Sequence, residues 1–122
     1  MKLCHLNHYN DLDNLVKPIS YYFLTNTSTE LEYRNAYITI PANSNFIISV
    51  KVTYNVSAPL CVALCLSNNI YQEVASQKNG YHHSTVTYSG YVDTETTYYI
   101  WAKYEDEYNN LESEIMITGF IL

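Results

Sequence analysis

Basic side chains are scarce. Six Lys and Arg face twelve Asp and Glu across 122 residues, leaving a formal net charge of -6. A nucleic-acid binder commonly neutralises about 6 to 10 phosphates with clustered Lys and Arg. Here the whole supply is scattered from Lys2 to Lys103, so nucleic acid is not expected as a partner. Long apolar runs are also missing: none approaches the roughly 20 residues of a membrane span, and membrane insertion is not expected. The N-terminus, with Lys2, His5, Asn7, His8 and Asn10, lacks the apolar centre of a signal peptide. That predicts synthesis in the cytoplasm, with export only by another route such as assembly into a larger particle. Cysteine is limited to three, an odd number that argues against a disulfide framework. Glycine and proline are limited to three each, and no glycine pattern of a nucleophile elbow is present.

What is present is tyrosine. Fourteen Tyr stand beside three Phe and one Trp, in a chain that is 48% hydrophobic and only 15% charged. That composition suits a globular domain made of pleated, half-wet surfaces, and one domain of this length can bury roughly two-thirds of its unfolded surface. Residues 1–17 read as a strap or linker in which Asn10 could cap one helical turn bearing Leu12, Leu15 and Val16. From Pro18 the hydrophobic period is two, which makes 18–122 a β-sandwich domain. Strands are expected at 19–24, 35–40, 45–56, 60–66, 70–75, 84–92, 96–105 and 113–122. In 46–56 the even positions are apolar or aromatic, so one face is buried; in 98–105 the even residues read as core, and the odd face carries Tyr99, Trp101, Lys103 and Glu105. Turn residues punctuate the strands at 41–45, 57–59, 67–69, 78–80 and 105–110. With no helical pattern between them, these strands predict an all-β fold: one antiparallel sandwich of about eight strands, jelly-roll-like.

Reactive side chains do not converge. Cys61 and Cys65 lie about 13 Å apart along a strand, too far for a disulfide, and read as small buried hydrophobes; Cys4 reads as a free thiol. His82 and His83 are adjacent and would point to opposite faces of a strand, so joint chelation is awkward and a hydrated loop tip is the expectation. The acidic stretch 105–114 offers oxygen ligands of the kind calcium takes, but lacks the order of a dedicated calcium loop. No metal site and no cofactor is expected, calcium being the one ion its chemistry could serve. Carboxylates paired across a cleft, as glycoside hydrolysis requires, are not evident, and no catalytic residue is assigned. The expectation is a protein that binds and is not an enzyme. Aromatic faces stack on sugar rings, and Tyr with Asn and Ser supplies adaptable hydrogen bonds. The candidate ligand-binding residues, outside the inferred core register, are Tyr81, His82, His83, Tyr99, Trp101, Asp106, Tyr108, Asn109 and Asn110.

Residues 38–50, Ile-Thr-Ile-Pro-Ala-Asn-Ser-Asn-Phe-Ile-Ile-Ser-Val, run from an apolar strand through a proline turn into an aromatic, alternating strand. Thr97 to Ala102, an acidic loop, and Met116 to Leu122 with its Gly119-Phe120-Ile121-Leu122 ending follow at the C-terminal side. In these segments 38–122 resembles the jelly-roll heads of tumour necrosis factor and complement proteins and the small β heads of bacteriophage tail fibres. A collagen-like stalk is absent, and the usual glycine before the first strand is replaced by the turn at 41–45. The resemblance implies a homotrimer with an apolar and aromatic interface. It leads to a phage or prophage tail-fibre or baseplate head recognising a bacterial surface glycan by multivalent, shallow contacts. Two alternatives stand beside it: a structural or decoration virion protein whose aromatic face packs on other virion subunits, and a free carbohydrate-binding module.

Overall fold

The computed structural model describes residues 16–54, 59–105 and 111–122. Among them are eight strands: β1 (Lys17–Thr27), β2 (Glu32–Ile40), β3 (Ser44–Tyr54), β4 (Pro59–Cys65), β5 (Glu73–Tyr81), β6 (His83–Val92), β7 (Thr96–Tyr104) and β8 (Leu111–Ile121). They form two four-stranded sheets in the orders β1-β8-β3-β6 and β2-β7-β4-β5, here sheets A and B. Every pairing is antiparallel. Successive strands lie in opposite sheets at every step except the β4–β5 hairpin. This order is that of a jelly roll. The turn-like signal in the first 15 residues lies outside the described residues, and Lys17 already belongs to β1.

The two-residue period builds the core. In β3, Phe46, Ile48, Val50, Val52 and Tyr54 are buried, and in β7 Tyr98, Ile100, Ala102 and Tyr104 meet them from the other sheet. Aliphatic side chains fill the middle, and aromatic rings close both ends. Phe46, Tyr88 and Tyr98 contact one another with centroids 5.5 to 5.8 Å apart. At the opposite end Tyr54 meets Tyr104 at 5.6 Å. Such ring pairs add about 0.5 to 1.5 kcal/mol each beyond the area they bury.

Arg34 is the one buried cation among the described residues. Its guanidinium donates to the Ala102 carbonyl at 2.9 Å, the Asn26 carbonyl at 3.4 Å, Ser28 Oγ at 3.2 Å and the Glu30 carbonyl. Glu32 lies 3.6 Å away. The β1–β2 crossover is thereby clasped to β7. Tyr33 pairs with Trp101 but Tyr37 pairs with Tyr99, so β2 carries a bulge between them, with Asn35 at φ 57°.

The fifth strand corrects the expectation of 70–75 with a turn at 78–80. β5 runs to Tyr81, and the corner is His82 alone, at φ 64°. Gly80 serves close approach instead: a Cβ there would lie 2.2 Å from the His83 carbonyl oxygen. Gly119 meets a similar constraint in β8. Its φ is +150°, and a Cβ would stand 2.0 Å from the Ile47 carbonyl oxygen of β3. Gly119→Ala must separate the two central strands of sheet A, and we expect it to lower stability by about 3 kcal/mol or more. Urea unfolding checks this; an unchanged midpoint would refute the close approach.

Candidate functional site

The outer face of sheet B carries small side chains on β4, namely Cys61, Ala63 and Cys65, beside Tyr99, Trp101 and Lys103 of β7. Small residues leave room, and the β4–β5 connection folds down into it. That loop holds itself: Ser67 Oγ accepts from the backbone N–H groups of Asn69 and Ile70, each at 3.2 Å, and Leu66 N–H donates to the Gln72 carbonyl at 2.9 Å. Its anchor is Trp101, whose Nε1–H donates to the Ser67 carbonyl at 2.9 Å. The Tyr71 ring stands edge-on to the indole at 5.5 Å. Trp101 is consequently only 7% exposed and forms a second small core with Ala63 and Cys65. Beside it Tyr99 lies between Tyr33, edge-on at 5.4 Å, and Tyr37 at 6.3 Å.

Next to this plug is a hollow of about 460 Å³ lined by Leu31, Cys61, Val62, Ala63, Tyr71, Glu73, Ser76, Lys78, Lys103 and Glu105. Its floor is β4 and one wall is the Tyr71 ring. The Tyr71 hydroxyl donates to the Glu73 carboxylate, and Lys103 Nζ sits 3.3 Å from Glu105. The hydrogen bond from Tyr71 holds Glu73 below the usual carboxylate range, and burial together with that carboxylate pushes the Tyr71 phenol up. Two ammonium groups and two carboxylates share the rim, so its charge is balanced.

The outer face of sheet A has no such cover among the described residues. Registered across it are Tyr22, Met116 and Lys51, then Ser20, Thr118 and Ser49, and, four residues along, Pro18, Phe120 and Ile47. Tyr22 is 56% exposed and Phe120 52%, with Leu24, Ile47, Met116 and Leu122 also open to solvent. A shallow depression of about 400 Å³ separates Phe120, Ile47 and Pro18, where Gly119, Ser49 and Thr118 raise little bulk. On the same face Tyr22 donates to Glu114 at 3.0 Å.

The residues expected to bind ligand are not brought to one place. Tyr99 and Trp101 do project from the outer face of sheet B, but the Trp101 indole is covered, which corrects its reading as an open platform. Tyr81, His82 and His83 are exposed at the β5–β6 corner, at the end of the sandwich where Tyr81 pairs with Pro59 and β7 terminates. The expected loop tip is thus a one-residue corner. Asp106, Tyr108, Asn109 and Asn110 lie outside the described residues. Among the described residues no group of three or more His, Cys, Asp or Glu comes together. Among the described residues no helix is long and apolar enough to cross a membrane. Tyr71, Glu73, Ser76 and Lys78 were not singled out by the sequence; the small outward side chains of β4 were the available sign that something covers that strand.

No protein-family model matches the chain, and no curated protein matches it by sequence. Solved structures do. Yersinia pseudotuberculosis-derived mitogen aligns with a TM-score of 0.52 at 9% identity, covering 84% of this chain and 86% of its own. The acidic stable capsid of Helicobacter pylori bacteriophage KHP30 aligns at 0.48 and 12% identity, covering 88% and 93%. A Bacillus endospore appendage pilus protein aligns at 0.49 and 6%, covering 87% and 86%. By fold, then, the chain belongs among antiparallel jelly-roll sandwiches. Similarity at these identities speaks of fold alone.

Thiol chemistry reports directly on this face. Cys61 reaches the hollow, whereas Cys65 is fully buried and its thiol is pushed up to about 11 by burial. At pH 8 roughly one Cys65 in a thousand is thiolate. In a Cys4→Ser background we expect one thiol to react with a disulfide reagent in the native protein and the second only on unfolding. Equal rates for both would show that the loop does not cover β4.

Proposed function

We propose that this chain is a virion-associated, non-enzymatic head of the tail-fibre or baseplate kind, assembling as a homotrimer and recognising a bacterial surface glycan by multivalent contacts. The observation that carries this reading is the outer face of sheet A, uncovered among the described residues. Half-exposed Tyr22, Phe120, Ile47, Leu24 and Met116 on one side of a small sandwich leave on the order of several hundred Å² of apolar surface to water. A stable interface takes about 800 Å² from each partner, so burying this face against copies of the chain is the economical solution. Three sites on one trimer, repeated over several fibres, raise avidity by about 10² to 10⁴ without a deep pocket. The jelly-roll order supports the resemblance of 38–122 to such heads. No metal or cofactor enters this reading.

A second reading, a structural or decoration subunit of a virion, draws on the same apolar face. Light scattering after size exclusion at micromolar concentration tests the shared premise. The expected mass is about 42 kDa, three copies of 14.1 kDa, and Phe120→Glu is expected to return the chain to 14.1 kDa while leaving its fold intact. A wild-type monomer would overturn the assembly. A trimer that binds none of an array of bacterial surface polysaccharides would favour the structural subunit over the receptor-binding head.

A further inference from the structure

We infer that the hollow on the outer face of sheet B is a binding site for an uncharged pyranose unit, with the Tyr71 ring as its stacking platform. This inference rests on the receptor-binding reading and gives it a location. Binding sites for small molecules are concave, about 300 to 1,000 Å³, largely apolar, with a few convergent polar groups. At about 460 Å³ the hollow has room for one or two sugar rings. The small side chains of Cys61 and Ala63 lie at its base.

Tyr71 is suited to stacking by how it is held. Its ring is braced edge-on by Trp101 and its hydroxyl is tied to Glu73, while 41% of the residue remains exposed. A pre-fixed aromatic wall loses little entropy on binding. The polar groups come from two strands, Glu73, Ser76 and Lys78 of β5 and Lys103 of β7, with Glu105 just beyond its end. Together they present ammonium and hydroxyl donors and carboxylate acceptors around an apolar floor, the mixture that ring hydroxyls satisfy. Charge balance selects the class of ligand. A phosphate or carboxylate would meet Glu73 and Glu105, and a cation would meet Lys78 and Lys103; a neutral polyol avoids both penalties. Sheet B faces away from sheet A, so assembly through sheet A leaves the hollow open.

The test is a ¹⁵N chemical-shift titration of the full-length protein with methyl glucopyranoside, methyl galactopyranoside, methyl N-acetylglucosaminide, glucosamine and N-acetylneuraminic acid, alongside the polysaccharide array. At least one uncharged glycoside is expected to shift the amides of 61–63, 71–76 and 103, with the cationic and anionic sugars about tenfold weaker or more. Tyr71→Ala is expected to weaken binding about tenfold or more, and Tyr71→Phe to retain it. Ser76→Phe fills the hollow from the edge strand without removing a core contact, and is expected to abolish binding even if Tyr71→Ala loosens the loop. If glycosides shift only the corner at 81–83, or both Tyr71→Ala and Ser76→Phe bind polysaccharide like the wild type, the hollow is not the site although the receptor-binding head stands. If the wild type binds neither glycoside nor polysaccharide, the site and the receptor-binding reading fall together.

Discussion

The contact between β3 and β8 is the constraint on which sheet A depends. β8 lies between β1 and β3, and β1 pairs with no other strand of that sheet. Whatever keeps β8 from β3 therefore also removes β1. The approach is closest at Gly119, where the Ile47 carbonyl occupies the space of a missing side chain. The same seam aligns Ile115 and Ile117 inward against Val50 and Val52, and Met116 and Phe120 outward beside Lys51 and Ile47. The close approach at Gly119 thus lies on the same seam as both the inner packing and the outer apolar row.

The two outer faces solve the same problem differently. A four-stranded sheet with one face in the core leaves its other face to water, to the chain itself or to a partner. Sheet B uses its own chain: small residues on β4 admit the 66–72 loop, and the Trp101–Ser67 hydrogen bond fixes it there. Burying an indole with its N–H satisfied retains the apolar gain without an unpaired donor. Sheet A carries exposed Tyr22, Met116, Ile47 and Phe120 outward, with a row of Ser20, Thr118, Ser49 and Thr87 between them, and no loop among the described residues folds onto it. Sheet B is thus covered by its own chain, while the apolar side chains of sheet A stay open to solvent among the described residues.

Most of the fold was legible because its signal is local. Alternation in β3 and β7 identifies the buried face residue by residue, and the even positions 46–54 and 98–104 are the inter-sheet core. The fifth strand was misplaced because Lys78-Asn79-Gly80 has turn chemistry; pairing with β4 keeps it extended, and the corner falls on His82 instead. The site was less legible because exposure is not a local property. Tyr99 and Trp101 were correctly placed outside the core register, yet what covers Trp101 is a carbonyl 34 residues away. The hollow likewise joins Tyr71, Ser76 and Lys103 across β5, β4 and β7, a neighbourhood that only strand order creates. The role of Arg34 is not legible in the sequence for the same reason, since its acceptors come from the end of β1, the β1–β2 crossover and β7.

The arrangement bears on how so small a domain could bind usefully. A 122-residue sandwich spends nearly all its inward side chains on one core, so a deep, enclosed pocket would compete directly with stability. An outer-face hollow escapes that competition, because its floor is the back of β4, whose inward residues Leu60, Val62 and Leu64 remain in the core. Shallow sites bind weakly, and weakness is tolerable only when sites are multiplied on a rigid frame. Assembly through sheet A would multiply the hollow while leaving it outward, with the intervening core holding the two faces at fixed distance and orientation. In the proposed head, self-association and ligand recognition would be one design, because the first would make the second strong enough to matter.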